Sequence, residues 1–328
     1  MKGIPVRVTN IVEQAVRPSM RLFTLFPQRF HTMIDTLNNQ FGIPNAVTIA
    51  EGNGGLPKAV LTHSSGSSCE VYLHGAHITS WKNATGDELF FLSRESWWQS
   101  DKPIRGGIPV VFPQFGGRGP LPQHGFARTS EWELVCSGLL DNGIVNIDLQ
   151  MRESAETLAL WPHRFTLGLR VLLDENALTV GARVTNTGEQ PFDFMMALHT
   201  YFRVADITKT AVVGLQGTTY VDTLQENARI VESRPEIRFA AETDSVYPNA
   251  PDSLRVAEEG NGRTIGISKT DMPDVVVWNP WIAKSQRMPD FGDDEYVHMV
   301  CVETGVIETK PVLLPGEKWE GETTFRIE

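Results

Sequence analysis

With 328 residues, of which 41% are hydrophobic and 21% charged, the chain has the composition of a folded domain with a substantial core, not of a disordered segment. Forty acidic against 29 basic side chains, a net charge of −11, disfavour a nucleic-acid or anionic-membrane partner. No apolar run reaches the length that a membrane-spanning helix needs.

In chain order, the first thirty residues carry Arg7, Arg17, Arg21 and Arg29 against one acid, Glu13. That balance fits either an organellar targeting peptide or an ordinary N-terminal extension. A secretory signal does not fit, because no compact apolar region precedes a small-residue cleavage site. Phe30, Met33, Ile34, Leu37 and Phe41 recur at helical spacing, which predicts a short amphipathic helix over roughly 28 to 41. Beyond it the period changes to two. "KAVLTHSSGSSCEVYLHGAHITSW" reads as strand, polar turn, strand. Its His74 and His77 fit either a metal pair or two ordinary strand histidines. A spacing of three on a strand puts them on opposite faces, and no thiolate or carboxylate cluster accompanies them, so no metal is assigned. Cys69, Cys136 and Cys301 are odd in number and widely spaced. They read as buried free thiols in a reducing compartment, which places the protein in the cytoplasm.

"PIRGGIPVVFPQFGGRGPLPQHGFAR", Pro103 to Arg128, is too rich in glycine and proline for a long helix or an unbroken strand. It still carries the apolar patch Ile108, Val110, Val111, Phe112 and Phe115, which argues for a packed loop. From Lys102 to Ser130 there is no Asp or Glu, while Lys102, Arg105, Arg118 and Arg128 remain. A packed basic loop in an acidic protein points to an anionic ligand.

Alternating segments follow: "GIVNIDLQMR", "RFTLGLRVLL", "ALTVGARVTN" and "FDFMMALHTYFRV", then "TAVVGLQG", "TIGISKT", "DVVVWNP", "HMVCVETG" and "WEGETTFRIE". Strands so regularly spaced, with almost no helix between them, predict an all-β fold, a large antiparallel β-sandwich with a short N-terminal helix. No linker or repeat divides it. Residues 1–40 form an extension holding part of that helix, and 41–328 form one domain. In "FDFMMALHTYF", Phe194, Met196 and Leu198 face one side, and Met195, Ala197, His199 and Tyr201 the other. His199 is open to a core or a functional role. Glu303 shares a face with Met299 and Cys301 and stands at the end of an apolar strand before a turn glycine, which alone suits a rim residue. "VVVWNPW" offers Trp278 and Trp281 as aromatic platforms or as core, and "ETDSVY" offers Asp244.

The chain has no phosphate-binding loop of the Gly-x4-Gly-Lys type, no dinucleotide fingerprint and no Gly-x-Ser-x-Gly elbow. A His, a Glu, aromatic planes and an arginine loop on a β-sandwich together suggest acid–base chemistry on a phosphorylated sugar. Two other classes use some of the same residues. A non-catalytic sugar-phosphate binder would keep the arginines without needing Glu303, and a glycoside hydrolase would need two carboxylates flanking the bond.

"IRGGIPVVFPQFG", "LPQHGFAR", "ALHTYFRV", "ETDSVY", "VVWNPW" and "MVCVETG" occur in an order and spacing that resemble the hexose-6-phosphate mutarotases (glucose-6-phosphate 1-epimerases). These are a branch of the aldose 1-epimerase superfamily, and the opening "FGIPNAVTIAEGNGGLPKAVL" is similar too. The resemblance runs from about Phe41 to the C-terminus. It implies a galactose mutarotase-like β-supersandwich, no cofactor, and His199 and Glu303 as the catalytic pair. It also implies substrate contacts from Arg105, Gln123, Arg128 and Asp244, with His124 a further candidate. The implied reaction interconverts the α and β anomers of a hexose 6-phosphate, with Glu303 as base and His199 as acid. The implied partner is that small molecule alone, with the protein acting as a monomer. Two positions depart from the family pattern: Ser245, where a basic residue is common, and Thr304, where an alanine or proline is usual.

Overall fold

Apolar residues at every second position require a facing layer, and the chain supplies one by packing two large antiparallel sheets together. In the computed structural model, which describes residues 26–260 and 262–328, one sheet has nine strands. From edge to edge they are Glu236–Arg238, Thr210–Val213, Ser253–Glu258, Thr264–Thr270, Lys318–Ile327, Ala177–Asn186, Phe165–Leu173, Val145–Arg152 and Glu133–Leu139. The other has eight: Ala228–Val231, Thr219–Asp222, Thr243–Tyr247, Asp274–Asn279, Met299–Val306, Met196–Leu198 and Val110–Val111 in line, with Tyr201–Arg203 also paired to Met299–Val306. Consecutive hairpins from Val47–Glu51 to His77–Lys82 make a smaller four-stranded sheet.

The predicted alternation places the side chains as expected. Phe194, Met196, Leu198, Val275, Val277, Val300 and Val302 enter the core between the large sheets, against Phe165, Val184 and Phe325. Met195, Ala197, Tyr201, Val276, Trp278, Met299 and Cys301 form a second apolar cluster on the other face of the eight-stranded sheet. Both faces are therefore covered, which is why "VVVW" and "MVCV" are continuously apolar.

Four expectations need correction. The helix spans Phe26–Phe41, starting earlier than predicted, and Asn38 clamps it to the first strand through both backbone groups of Ile49, at 2.7 and 2.8 Å. Glu303 is not at a strand end: the strand Met299–Val306 continues past it, and the residue is 1% exposed. Gly305 is no turn residue either. A Cβ there would lie 2.2 Å from the Met196 carbonyl oxygen, so the glycine permits close strand approach. Cys69 and Cys301 are buried, but Cys136 is exposed, because a register shift between Leu134 and Cys136 turns its edge strand outward.

The departures at Ser245 and Thr304 both face the inter-sheet core. Ser245 pairs with core-facing Val277, and the Thr304 hydroxyl lies 2.6 Å from that of Thr323. The arginines Arg7, Arg17 and Arg21 lie outside the described residues. Among the described residues no helix is long and apolar enough to cross a membrane.

Candidate active site

The outer face of the eight-stranded sheet carries the chemistry-bearing side chains in adjacent rows. Asp244 pairs with Trp278, Trp278 with Cys301, and Cys301 with Tyr201, one row across four strands. One step along, Leu198 pairs with Thr304 on one side of the gap while Tyr201 pairs with Cys301 on the other. That common register sets His199 opposite Glu303. The two meet at 3.4 Å, His199 Nε2 to Glu303 Oε1. Both are buried, and His199 Nδ1 and Glu303 Oε2 have no hydrogen-bond partner among the described residues. Tyr201 stacks on the His199 ring, with centroids 4.8 Å apart and planes 10° apart. Trp278 and His124 approach it edge-on at 6.1 and 5.3 Å. Trp281 does not join them. It packs on Tyr296 at 5.2 Å, because the chain turns into the helix Trp281–Ser285.

The glycine-rich loop is laid over this face by backbone bonds: His199 N–H to the Pro109 carbonyl, 3.0 Å, and Tyr201 N–H to that of Gly107, 2.8 Å. His74 and His77 prove to be its anchors, donating Nε2–H to the carbonyls of Lys102 and Gly106 at 2.8 and 2.7 Å. Burial pushes His77 down to about 3, so it stays neutral. Gly107, at φ 59°, serves this packing and not a ligand: a Cβ would come within 2.0 Å of the Ile78 carbonyl oxygen. Among the described residues no three His, Cys, Asp or Glu are grouped to hold a metal.

The loop that lacks acids in sequence receives them from elsewhere. Asp290, 4% exposed, takes Arg105 through Nε and Nη2 at 3.1 and 2.9 Å, and Arg105 Nη1 donates to the Tyr201 hydroxyl at 3.0 Å. Arg118 pairs with Glu308, and Lys102 lies 3.9 Å from Asp101. Arg128 alone of the loop's cations pairs with no carboxylate among the described residues; its Nη2 donates to the Gln123 carbonyl at 2.9 Å. Gln123 enters through that carbonyl, while its residue surface is exposed. Burial, and then Arg105, push Arg128 down to about 10, which leaves it charged at neutral pH.

At the other end Asp244 is part-buried, and burial raises its carboxyl, opposed by Lys284 at 3.7 Å. Lys284 also lies over the Trp278 ring at 5.5 Å and pairs with Glu242 at 3.1 Å. Burial raises Glu303 well above the ordinary carboxylate range; Asp244 adds to this and Arg128 opposes it. Burial lowers His199 well below the ordinary imidazole range, helped by His124, Arg105 and Arg128. His124 is itself held to about 3, chiefly by burial.

Sequence reading thus named the residues that face each other but missed Asp290, Lys284 and the roles of Tyr201, His74 and His77. Asp290 lies in "RMPDFGDDEY", which looks like a solvated acidic loop until the fold brings it to Arg105. Asp290→Asn is expected to lower stability by about 2–4 kcal/mol, since it strips a part-buried arginine of its counter-ion. A thermal unfolding midpoint within a degree of the parent would contradict this.

Two packed antiparallel sheets of this kind are the galactose mutarotase-like fold. A crystal structure described as a "putative mutarotase" from Salmonella typhimurium superposes with a TM-score of 0.79, covering 89% of this chain and 99% of its own at 29% identity. The chain belongs to the aldose 1-epimerase family, whose sequence model matches residues 57–326, and by that membership it is an epimerase. A "Putative glucose-6-phosphate 1-epimerase" from Cenchrus ciliaris is 42% identical over 274 residues, 81% of this chain and 83% of that one. A protein of the same name from Escherichia coli (strain K12) is 37% identical over 71% of this chain and 77% of its own.

Proposed function

We propose that the protein interconverts the α and β anomers of hexose 6-phosphates, with glucose 6-phosphate as the preferred substrate, by cofactor-free acid–base catalysis. The observation that carries this reading is the His199–Glu303 contact at 3.4 Å, with one unpartnered polar atom left on each side chain. The names of the relatives supply the sugar phosphate, and Arg128 supplies a cation that pairs with no carboxylate among the described residues to receive it.

Ring opening breaks the C1–O5 bond. Glu303 takes the proton of the anomeric hydroxyl, whose electron pair becomes the carbonyl, and His199 gives a proton to O5. After rotation about C1–C2, His199 takes the O5 proton back and Glu303 returns its proton to O1. Nothing is consumed. Arg128 holds the phosphate, and Arg105, with one Nη1–H left beyond its bonds to Asp290 and Tyr201, assists. Asp244 and His124 border the sugar. The test is anomer exchange of freshly dissolved α-glucose 6-phosphate by NMR or polarimetry. Acceleration over the buffer blank, unaffected by chelator, is expected; a rate equal to the blank refutes the reading.

The pH dependence follows from the two directions. Couples with one proton between Glu303 and His199 are active. A raised Glu303 holds its proton above the usual carboxylate range, and a lowered His199 stays neutral below the usual imidazole range. The one-proton couple of the free enzyme therefore persists across neutrality. Activity, as kcat/KM, should form a broad bell whose acid limb lies below the ordinary histidine value and whose alkaline limb lies above the ordinary carboxylate value. An acid limb near 6.5, about the unperturbed histidine value, would show that the pair is not buried as described.

A further inference from the structure

The outer torsion of a histidine is broad and roughly two-fold, so the backbone alone does not set the plane of its ring. A reactive imidazole is ordinarily fixed by a hydrogen bond from its second nitrogen to a carboxylate or a backbone carbonyl. His199 has no such bond. Among the described residues its Nδ1 is unpartnered, and its Nε2 lies 3.4 Å from Glu303, beyond the ordinary N–H···O range. Its neighbours are rings instead. Tyr201 lies flat against it, 10° from parallel, while Trp278 stands edge-on to both rings, 6.1 Å from His199 and 6.0 Å from Tyr201. His124 meets it edge-on at 5.3 Å.

The Tyr201 ring is itself tied at its far end. Its hydroxyl accepts from Arg105 Nη1 at 3.0 Å, and the same guanidinium is held by Asp290 through Nε and Nη2. The Arg105 backbone is held too, its carbonyl accepting from the Ser96 hydroxyl at 2.8 Å. At 1% exposure Tyr201 offers a substrate almost no surface of its own. We propose that Tyr201 is the positioning residue of the reaction: stacked on His199 and braced through its hydroxyl by Arg105 and Asp290, it holds the imidazole plane in which Nε2 faces Glu303 Oε1. The inference rests on the acid–base reading of that pair. A carboxylate on Nδ1 would also stabilise the imidazolium. A tyrosine face fixes the plane without adding a net charge, which suits a group that gives a proton on ring opening and takes it back on closure.

The test compares Tyr201→Phe and Tyr201→Leu with the parent in anomer exchange of glucose 6-phosphate, reading kcat and KM separately, well below each variant's unfolding midpoint. Tyr201→Leu removes the flat ring. It should lower kcat about ten- to a hundredfold, the cost of a small misplacement at the reacting groups, with KM changed by less than about twofold. Tyr201→Phe keeps the stack and loses only the tie to Arg105, so it should recover most of that loss. In a His199→Asn background Tyr201→Leu should cost almost nothing further, because the group it positions is gone. In proton NMR the His199 ring-carbon protons, assigned by their loss in His199→Asn, should carry a ring-current shift that Tyr201→Phe keeps and Tyr201→Leu loses. A Leu variant with parental kcat or an unmoved His199 signal overturns the inference. So does a Phe variant as slow as the Leu variant, a loss that falls on KM instead of kcat, or an equal loss with and without His199. A parent that exchanges no faster than its enzyme-free blank overturns the functional reading itself, a failure told apart by the ring-current comparison, which needs no activity.

Discussion

Glu303→Gln is expected to slow anomer exchange of glucose 6-phosphate by about a hundredfold or more, and His199→Asn by a similar factor. Each removes one half of the proton traffic. The amide side chain would keep the size and hydrogen-bonding reach of the carboxylate but could neither take the anomeric proton nor return it. The fold should survive both changes, because among the described residues neither side chain is tied into it by a hydrogen bond: their mutual contact is 3.4 Å, and His199 Nδ1 and Glu303 Oε2 are unpartnered. A neutral amide replaces a carboxyl that burial already holds toward its neutral form, so little stability is at stake. The double variant should be little slower than either single one, since the two act as one proton couple. A Glu303→Gln protein with parental turnover would transfer the base to another group, and Asp244, facing Glu303 across the site, would be the next to replace.

Arg128→Ala has the second largest expected effect, and it falls on one substrate. A charge-assisted contact is worth about 1.5–3 kcal/mol, so kcat/KM for glucose 6-phosphate should drop about ten- to a hundredfold while that for free glucose changes far less. Arg128→Lys should recover only part, since an ammonium lacks the planar fork. The competing account is that Arg128 merely ties the loop down through the Gln123 carbonyl, 2.9 Å away. Losing a structural tie would lower thermal stability and hurt both sugars equally. Measuring glucose and glucose 6-phosphate on the same preparation separates the two accounts. Arg105→Ala would be a poorer probe: it also leaves Asp290 buried without its cation, and the Tyr201 hydroxyl without its donor.

The sequence by itself determined the strand period, and with it the faces. Alternation along "FDFMMALHTYF" and "HMVCVETG" put His199 on one face with Tyr201, and Glu303 on one face with Cys301; that these faces turn away from the main core was decided by the packing. The sequence also isolated the basic loop, because composition is local information. Residue burial was harder to read. Glu303 looked like a rim residue because Gly305 resembles a turn glycine, whereas a carbonyl from the neighbouring strand is what excludes a side chain there. Tertiary structure alone decided which cation stays unbalanced. Arg105 finds Asp290 185 positions away, and Arg118 finds Glu308 at a separation of 190, while among the described residues Arg128 hydrogen-bonds only a backbone carbonyl. Periodicity is imposed by backbone geometry within a few residues, so it is written in any short stretch. Counter-ion choice depends on which distant loop closes over the sheet, and only the packed chain brings those charges within reach of one another.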